Sequence, residues 1–232
     1  MNQNIKKPSF LLHITEIFRA IFQAIKAWLF IRTCSYHNIG KGQVVLIVPG
    51  LMGTDLSTKM LRSFLNKMGY RTLGWGMGRN KGRFGDLPKL VEKIKNLHEG
   101  SGQKIILIGW SMGGIFAREV SKQIPEAVKH LITMGSPFGN IHAPNNAKWV
   151  FDLLNPEREE MPEFENQIYQ SANVPTLAIY SKSDGIVPWE ACMEPVEDDL
   201  HHNKELKSSH FGMGTNKEVF EAVLERLKGL KK

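Results

Sequence analysis

The residues best suited to chemistry lie in the segment Gly109-Trp110-Ser111-Met112-Gly113, between an apolar run at residues 105–108 and a predicted helix. A serine between two glycines at such a junction lies in a strained turn that lifts its hydroxyl out of the sheet. Glycine is needed on both sides because a Cβ atom there would collide with the neighbouring strand and helix. We therefore predict that Ser111 is a nucleophile. The alternative interpretation is an ordinary glycine-rich turn.

A serine hydroxyl is a weak nucleophile, so Ser111 would need a base that is itself oriented by an acid. Asp184 follows the predicted strand Thr176–Tyr180, and His210 follows a weaker strand candidate at residues 205–207. Both residues stand at carboxyl ends of strands, where open α/β sheets place their sites, and in the order serine, acid, histidine. The sequence predicts a catalytic triad of Ser111, Asp184 and His210.

A nucleophilic serine of this kind also needs two backbone N–H groups that stabilise the negative oxygen of a tetrahedral intermediate. One is expected from Met112, the residue after Ser111. The second is expected from Leu51 in the loop at residues 49–53, where two glycines let the backbone curl inward. The alternative is that this loop is a plain turn.

Other residues that could do chemistry are interpreted as structural or surface groups. They are His130, Ser136, Asp198, Asp199, His201 and His202. The histidines and aspartates near residue 200 match no common spacing of metal ligands, so no metal site is expected. Residues 74–80 contain three glycines but lack the pattern of a nucleotide-binding loop. This segment is interpreted either as a tight loop beside the mouth of the site or as a structural turn.

Strands and helices alternate through most of the chain after residue 43. The predicted strands are Val44–Val48, 70–73, 105–108, 131–134, Thr176–Tyr180 and 205–207. The predicted helices lie near residues 58–68, 87–97, 113–124 and 219–227. Alternation of this kind predicts an α/β fold with a mostly parallel sheet, right-handed crossovers and helices on both faces.

The composition fits a globular α/β domain of 232 residues, with 42% hydrophobic and 23% charged residues. The net charge of +7 is spread along the chain without a basic run among stacking aromatics, so no nucleic-acid partner is expected. The two cysteines, Cys34 and Cys192, are far apart, which suits a reducing compartment and an expected cytoplasmic location. The composition leaves the oligomeric state open.

The alternation fails in an insertion at residues 140–174, which contains prolines and several large apolar residues. Long insertions into a compact domain usually serve a function. We predict that this one forms a short cap, which excludes water from the site and shapes the substrate pocket. The side chains expected to line or cover the pocket are Trp149, Phe151, Leu153 and Leu154.

Residues 1–40 are set apart from the domain predicted for residues 41–232. Between residues 10 and 31 the polar residues, among them Glu16, Arg19 and Lys26, share one side of an amphipathic helix, and the apolar residues form an arc of roughly 200°. These charges argue against a cleaved signal peptide. Three interpretations stay open: a helix that lies on an anionic membrane, a helix packed on the domain or in a dimer contact, and a divergent targeting segment.

Four segments together resemble the α/β-hydrolase superfamily, and within it the bacterial esterase- and lipase-like members. They are Val-Pro-Gly-Leu-Met-Gly at residues 48–53, Gly-Trp-Ser-Met-Gly-Gly at 109–114, Ser-Asp-Gly-Ile-Val-Pro at 183–188 and Ser-His-Phe-Gly-Met-Gly at 209–214. The similarity extends over about residues 43–230. It departs from many relatives at Pro49-Gly50, where they have His-Gly.

The resemblance implies a hydrolase of carboxylic esters, small-molecule or lipid, that forms an acyl-enzyme on Ser111 and needs no cofactor. Asp184 and His210 complete the triad that it implies. Two alternatives stay open. One is a thioesterase or acyltransferase with the same triad, and the other is a catalytically idle fold that serves as a binding module.

Overall fold

The computed structural model describes residues 5–156 and 167–229. Within these ranges, six strands form one sheet in the order β2-β1-β3-β4-β5-β6, and every neighbouring pair is parallel. The strands are β1 (Val44–Val48), β2 (Arg71–Gly74), β3 (Ile105–Trp110), β4 (Val128–Met134), β5 (Thr176–Tyr180) and β6 (His201–Glu205). The predicted parallel sheet is confirmed.

Helices cover both faces of this sheet. They are α1 (Phe10–Thr33), α2 (Lys59–Lys67), α3 (Leu87–Ser101), α4 (Met112–Gln123), α5 (Lys148–Leu154) and α6 (Lys217–Gly229). Alternate residues of a strand point to opposite faces, so Val45 and Ile47 pack with α2 and α6, whereas Val44 and Leu46 pack with α3 and α4. Both faces of the central strands are therefore buried, as their continuous apolar runs predicted.

Several predicted boundaries differ from the structure by a few residues, those of β6 and the end of α3 among them. The last strand is β6 at His201–Glu205, not residues 205–207, so His201 and His202 lie inside it and pair with β5. As a half-exposed strand at the edge of the sheet, β6 has no apolar run to mark it. Helix α3 continues past residue 97, its predicted end, to Ser101, and Gly102 provides its left-handed cap, with φ of 65°.

Helix α1 lies against α2 and α6 at one face of the sheet. Its Ala27 is fully buried in the core, and the Phe30 and Phe64 ring centroids are 5.5 Å apart. The Lys67 ammonium donates to the carbonyl oxygens of Ile31 and Cys34 at the end of α1. In the part of the chain that the structure describes, no helix has both the length and the apolarity needed to cross a bilayer.

The insertion predicted as a cap contains α5 and the loops that flank it. Its residues 157–166 lie outside the described residues. The remaining part reaches the carboxyl edge of the sheet, where Phe151 of α5 contacts the loop that holds Gly82. The cap remains a prediction.

Candidate active site

Ser111 lies in a sharp turn between the end of β3 and the start of α4, with φ of 53° and ψ of −124°. A residue other than glycine rarely adopts this strained conformation. Close backbone packing explains the flanking glycines: a Cβ atom on Gly109 would lie 2.3 Å from the Gly114 Cα. A Cβ atom on Gly113 would lie 2.4 Å from the carbonyl oxygens of Val48 and Pro49. The turn therefore holds the Ser111 side chain at the carboxyl edge of the sheet.

The three residues predicted to form a triad lie side by side. His210 Nε2 is 3.0 Å from Ser111 Oγ, and His210 Nδ1 is 2.6 Å from Asp184 Oδ2. Asp184 and His210 are both 4% exposed. Asp184 lies in the loop after β5 and His210 in the loop after β6, so the carboxyl ends of neighbouring strands bring them together.

The Asp184 carboxylate is fixed on both of its oxygens. Oδ1 accepts hydrogen bonds from the backbone N–H groups of Ile186 and Val187, at 2.8 and 2.9 Å, while Oδ2 faces His210. The two loops are also joined directly, because Ser181 Oγ donates to the Ser208 carbonyl oxygen at 2.7 Å. These contacts fix the orientation of the carboxylate that faces the imidazole.

The charges around His210 favour its protonated form. Burial would by itself lower the pKa of the imidazole, but the Asp184 carboxylate and, to a lesser degree, the Glu16 carboxylate outweigh burial, so the pKa is raised above its ordinary value. The indole N–H of Trp110 donates to the His210 carbonyl oxygen at 3.1 Å and holds the backbone of this loop. The site is thus arranged to stabilise an imidazolium ion.

A cavity opens beside Ser111. Leu51 and Met112 both line it, and a Cβ atom on Gly50 would lie 3.2 Å from the Ser111 Cβ, so the loop at residues 49–53 abuts the serine. Within the described residues, the backbone N–H groups of Leu51 and Met112 have no hydrogen-bond acceptor. The structure therefore brings both predicted oxyanion donors to the cavity of Ser111.

Asn80, which the sequence analysis did not single out, holds the loop at residues 49–53. Its side chain is fully buried, and Nδ2 donates to the Pro49 carbonyl oxygen at 2.8 Å. Its backbone N–H donates to the Gly53 carbonyl oxygen at 2.9 Å, and its own carbonyl oxygen accepts from the Met52 N–H at 2.7 Å. The segment at residues 74–80 thus ends against the loop that carries Leu51.

Glu16 of α1 is a second residue that the sequence analysis placed elsewhere, among the polar residues of an amphipathic helix. Its side chain is 1% exposed. Oε1 accepts from the N–H groups of Gly185 and His210 at 2.8 and 3.1 Å, and Oε2 accepts from the Phe211 N–H at 3.1 Å. The one available signal was that Glu16 is the sole acidic residue before Asp55.

Of the four cap residues predicted to line or cover the pocket, Phe151 lines the cavity. Trp149 and Leu153 are 67% and 71% exposed, and Leu154 is half-buried; none of these three lines the cavity. Trp149 and Leu153 are four residues apart on α5 and therefore share one side of the helix, away from Phe151. The cavity side of this segment also includes Ala147 and Lys148.

The other residues that the sequence analysis considered for chemistry make structural contacts instead. His130 lies within β4, fully buried, where burial first and then the charge of Arg226 lower its pKa to about 3. His201 is bound between Asp198 and the Ala172 carbonyl oxygen. Ser136 is buried and donates to the Met134 carbonyl oxygen. Among the residues described, no group of three or more His, Cys, Asp or Glu side chains could hold a metal ion.

Comparison with known proteins identifies the family of this fold. Residues 43–158 match a family model described as the alpha/beta hydrolase fold. The chain is similar in structure to a monoacylglycerol lipase from Paleococcus ferrophilus, with TM-score 0.60 and 14% identity, covering 84% of this chain and 97% of that one. The lipase BlEst2 from Bacillus licheniformis gives TM-score 0.60 and 16% identity, covering 84% and 95%.

A third similar structure is a thioesterase domain from the curacin biosynthetic pathway. It gives TM-score 0.56 and 14% identity, covering 84% of this chain and 93% of that one. A comparison with the sequences of curated proteins found no match. At these identities, the similar structures show that the fold is shared.

Proposed function

This chain belongs to the alpha/beta hydrolase fold family, and we propose that it is a serine hydrolase that cleaves carboxylic esters through an acyl-enzyme intermediate. One observation carries the proposal: His210 lies within hydrogen-bond distance of both Ser111 Oγ and the Asp184 carboxylate. This is the arrangement that turns a serine hydroxyl into a nucleophile.

In the acylation half of this reaction, Ser111 Oγ attacks the carbonyl carbon of the ester while its proton moves to His210 Nε2. Asp184 accepts the Nδ1–H of the resulting imidazolium ion and stabilises its charge. The carbonyl oxygen becomes negative and accepts hydrogen bonds from the N–H groups of Leu51 and Met112. Each donor stabilises the transition state by about 3 kcal/mol. The carbon–oxygen ester bond then breaks, and His210 returns the proton to the leaving alcohol.

In the deacylation half, a water molecule replaces the alcohol. His210 Nε2 takes one proton from the water as its oxygen attacks the acyl carbon, and the same two N–H groups stabilise the second tetrahedral intermediate. The bond between the acyl carbon and Ser111 Oγ breaks, and the proton returns to Oγ. The carboxylic acid leaves, and the hydroxyl is restored.

The cavity favours an apolar acyl group. Phe84, Ile115, Ile141 and Phe151 line it together with Leu51, while His142, Asn145 and Lys148 add polar groups. Apolar walls with a few polar groups are typical of pockets that bind small organic ligands. The names of the two similar lipases support an ester of a fatty acid as the substrate class.

A second candidate is the hydrolysis of thioesters by the same three residues, which the similarity to the curacin thioesterase domain favours. Such a substrate uses the same acyl-enzyme on Ser111 but releases a thiol. The two reactions differ only in the leaving group, an alcohol or a thiol. Transfer of the acyl group to an alcohol rather than to water is a variation of either reaction.

The test combines labelling with kinetics. A fluorophosphonate probe should form an adduct on Ser111 in the wild-type protein and none in Ser111→Ala, and a lack of adduct in both would favour a binding module. Oxygen esters and thioesters of matched acyl chains then separate the two candidates by kcat/KM. A series of chain lengths defines the acyl group.

A further inference from the structure

Helix α1 turns its apolar side outward. From Phe10 to Leu29, ten large apolar side chains are between 48% and 76% exposed, and Phe18 is among the most exposed of them. We call these ten side chains the outer face of α1. Exposed apolar patches of this extent on a protein usually mark a surface that binds a partner or a membrane.

The helix cannot roll to bury its outer face, because its polar residues are bound to the domain. Glu16 accepts hydrogen bonds from three backbone N–H groups in the loops that hold Asp184 and His210. The Arg19 guanidinium donates to the Ser183 carbonyl oxygen at 2.6 Å. Gln23 Oε1 accepts from Ser209 Oγ at 2.7 Å. The polar side therefore lies against the protein, and the apolar side is left to the surroundings.

The charges beside the outer face are positive. Lys26 lies over the Phe22 ring at 4.3 Å and Arg32 over the Trp28 ring at 4.2 Å, while Lys6 and Lys7 precede the helix and are exposed. Glu16, the sole acidic residue before Asp55, is buried. The surface that would complement this face is apolar and bears negative charge.

We propose that the outer face of α1 docks the protein on the surface of an anionic phospholipid bilayer, with the helix in the interfacial plane. Helices that bind in this way combine a wide apolar face with lysine and arginine, and aromatic residues lie at the boundary of head groups and acyl chains. A second copy of the chain is a less suitable partner for the outer face than an anionic bilayer. A two-fold contact would place the cations of one face against those of the same face.

The proposal is tested by sedimentation of the full chain with phosphatidylcholine vesicles, with and without about one third phosphatidylglycerol. We expect binding to the anionic vesicles, and at least tenfold weaker partitioning for the double variant Phe18→Asp, Phe22→Asp. Val196→Asp is the control for an aspartate placed at an exposed apolar position, because Val196 is 63% exposed in the loop before β6 and lies outside α1. Ser111→Ala should bind like the wild type, so the result does not depend on catalysis.

Two results would overturn the docking proposal. One is wild-type protein that stays in the supernatant with the anionic vesicles. The other is a stable dimer by light scattering without lipid that the double variant converts to a monomer, because the outer face would then be a self-contact. Circular dichroism of both variants checks that exposed substitutions leave the fold intact.

A second inference rests on a different observation, the three hydrogen bonds of Glu16. The carboxylate oxygens of Glu16 accept from the N–H of Gly185, which is next to Asp184, and from the N–H groups of His210 and Phe211. A buried carboxylate is costly unless it is well paired, and here the three N–H groups and Arg19, at 2.8 Å, supply the pairing. One side chain from α1 therefore clamps both loops of the candidate active site.

We infer that Glu16 is a positioning residue that fixes the Asp184 loop against the His210 loop, an inference that rests on the proposed function. Among the described residues, the charged groups that act on His210 are Asp184, from the loop after β5, and Glu16 of α1, which is paired with Arg19. Replacing Glu16 with glutamine removes a negative charge and leaves the charge of Arg19 without its carboxylate partner. Both changes disfavour a protonated imidazole.

The variant Glu16→Gln should lose at least tenfold in kcat with little change in KM, and the acid limb of its kcat/KM profile should move to lower pH. NMR titration of His210 should show the same downward shift without any substrate. An unshifted titration with unchanged kcat, whatever the melting temperature, refutes the positioning role. A wild-type protein with a normal titration but no hydrolysis would refute the proposed function instead.

Discussion

Replacement of Asn80 by alanine tests the loop that carries the Leu51 N–H. The change removes the donor to the Pro49 carbonyl oxygen and the acceptor of the Gly82 N–H, at 2.8 and 2.9 Å, both in buried surroundings. A buried polar group left without its partner costs about 1–3 kcal/mol. Two such groups predict a loss of about 2–6 kcal/mol in the free energy of unfolding.

The effect on catalysis follows from the same contacts. Without the Asn80 side chain, the backbone bonds of residue 80 to Met52 and Gly53 remain, but Pro49 loses its donor, and we expect Pro49 to shift and to displace Leu51, two residues on. A displaced oxyanion donor costs about 3 kcal/mol in the transition state, so we expect kcat to fall by about a hundredfold with the chemistry of Ser111 otherwise intact. The fluorophosphonate adduct should still form, but more slowly.

The assay compares Asn80→Ala with Asn66→Ala by urea unfolding and ester hydrolysis. Asn66 is an exposed asparagine whose side chain accepts from the N–H of Thr72 at 3.1 Å, outside the site. The control should lose little stability and no activity. If Asn80→Ala loses stability but keeps kcat within about threefold of the wild type, the segment at residues 74–80 supports the fold alone, and our account of the oxyanion loop is wrong.

Three further predictions concern the site and the core. Ser111→Ala should lower kcat by more than about a thousandfold while the free energy of unfolding stays the same, measured by hydrolysis and urea unfolding. The pKa of His130 is about 3 in the folded protein and 6.5 in the unfolded chain. As the pH falls below 6.5, residue 130 therefore takes up a proton in the unfolded chain but not in the folded protein. Between pH 7 and pH 5 the free energy of unfolding of the wild type should fall by about 2 kcal/mol more than that of His130→Gln. Phe151→Asp should shift the preferred acyl chain length, whereas Trp149→Asp, on the exposed side of α5, should leave it unchanged in the same ester series.

The sheet, and the proximity of Ser111, Asp184 and His210 at its carboxyl edge, could be predicted because local patterns mark them. Strands β1, β3 and β5 are continuous apolar runs, and a strand buried on both faces needs such a run. Ser111 is marked by the glycines that its turn requires. The position of His210 beside Ser111 agrees with the prediction although the predicted bounds of β6 were wrong, because the order of the three residues along the chain depends on the topology and not on the exact strand boundary.

Asn80 and Glu16 could not be predicted because their roles depend on contacts far apart in sequence. Asn80 bonds to Pro49 across 31 residues, and Glu16 bonds to His210 across 194. A single asparagine in a glycine-rich segment, or a single glutamate on an amphipathic helix, has the same local pattern whether it is exposed or buried. The helical periodicity of α1 was sufficient to separate a polar from an apolar side, but not to decide which side faces the domain.

Helix α1 has its polar side against the domain and its apolar side outward, and this orientation determines how the role of the helix can be tested. The N–H groups of Gly185, His210 and Phe211 have their acceptor on Glu16, and buried backbone donors need an acceptor. A chain that begins near Gly40 would leave these donors unpaired and would also remove the Phe30 contact with Phe64. Loss of activity after such a truncation would therefore say nothing about membranes. Substitutions confined to the outer face, which spare Glu16, Arg19 and Gln23, can separate the contact with lipid from the support of the site loops.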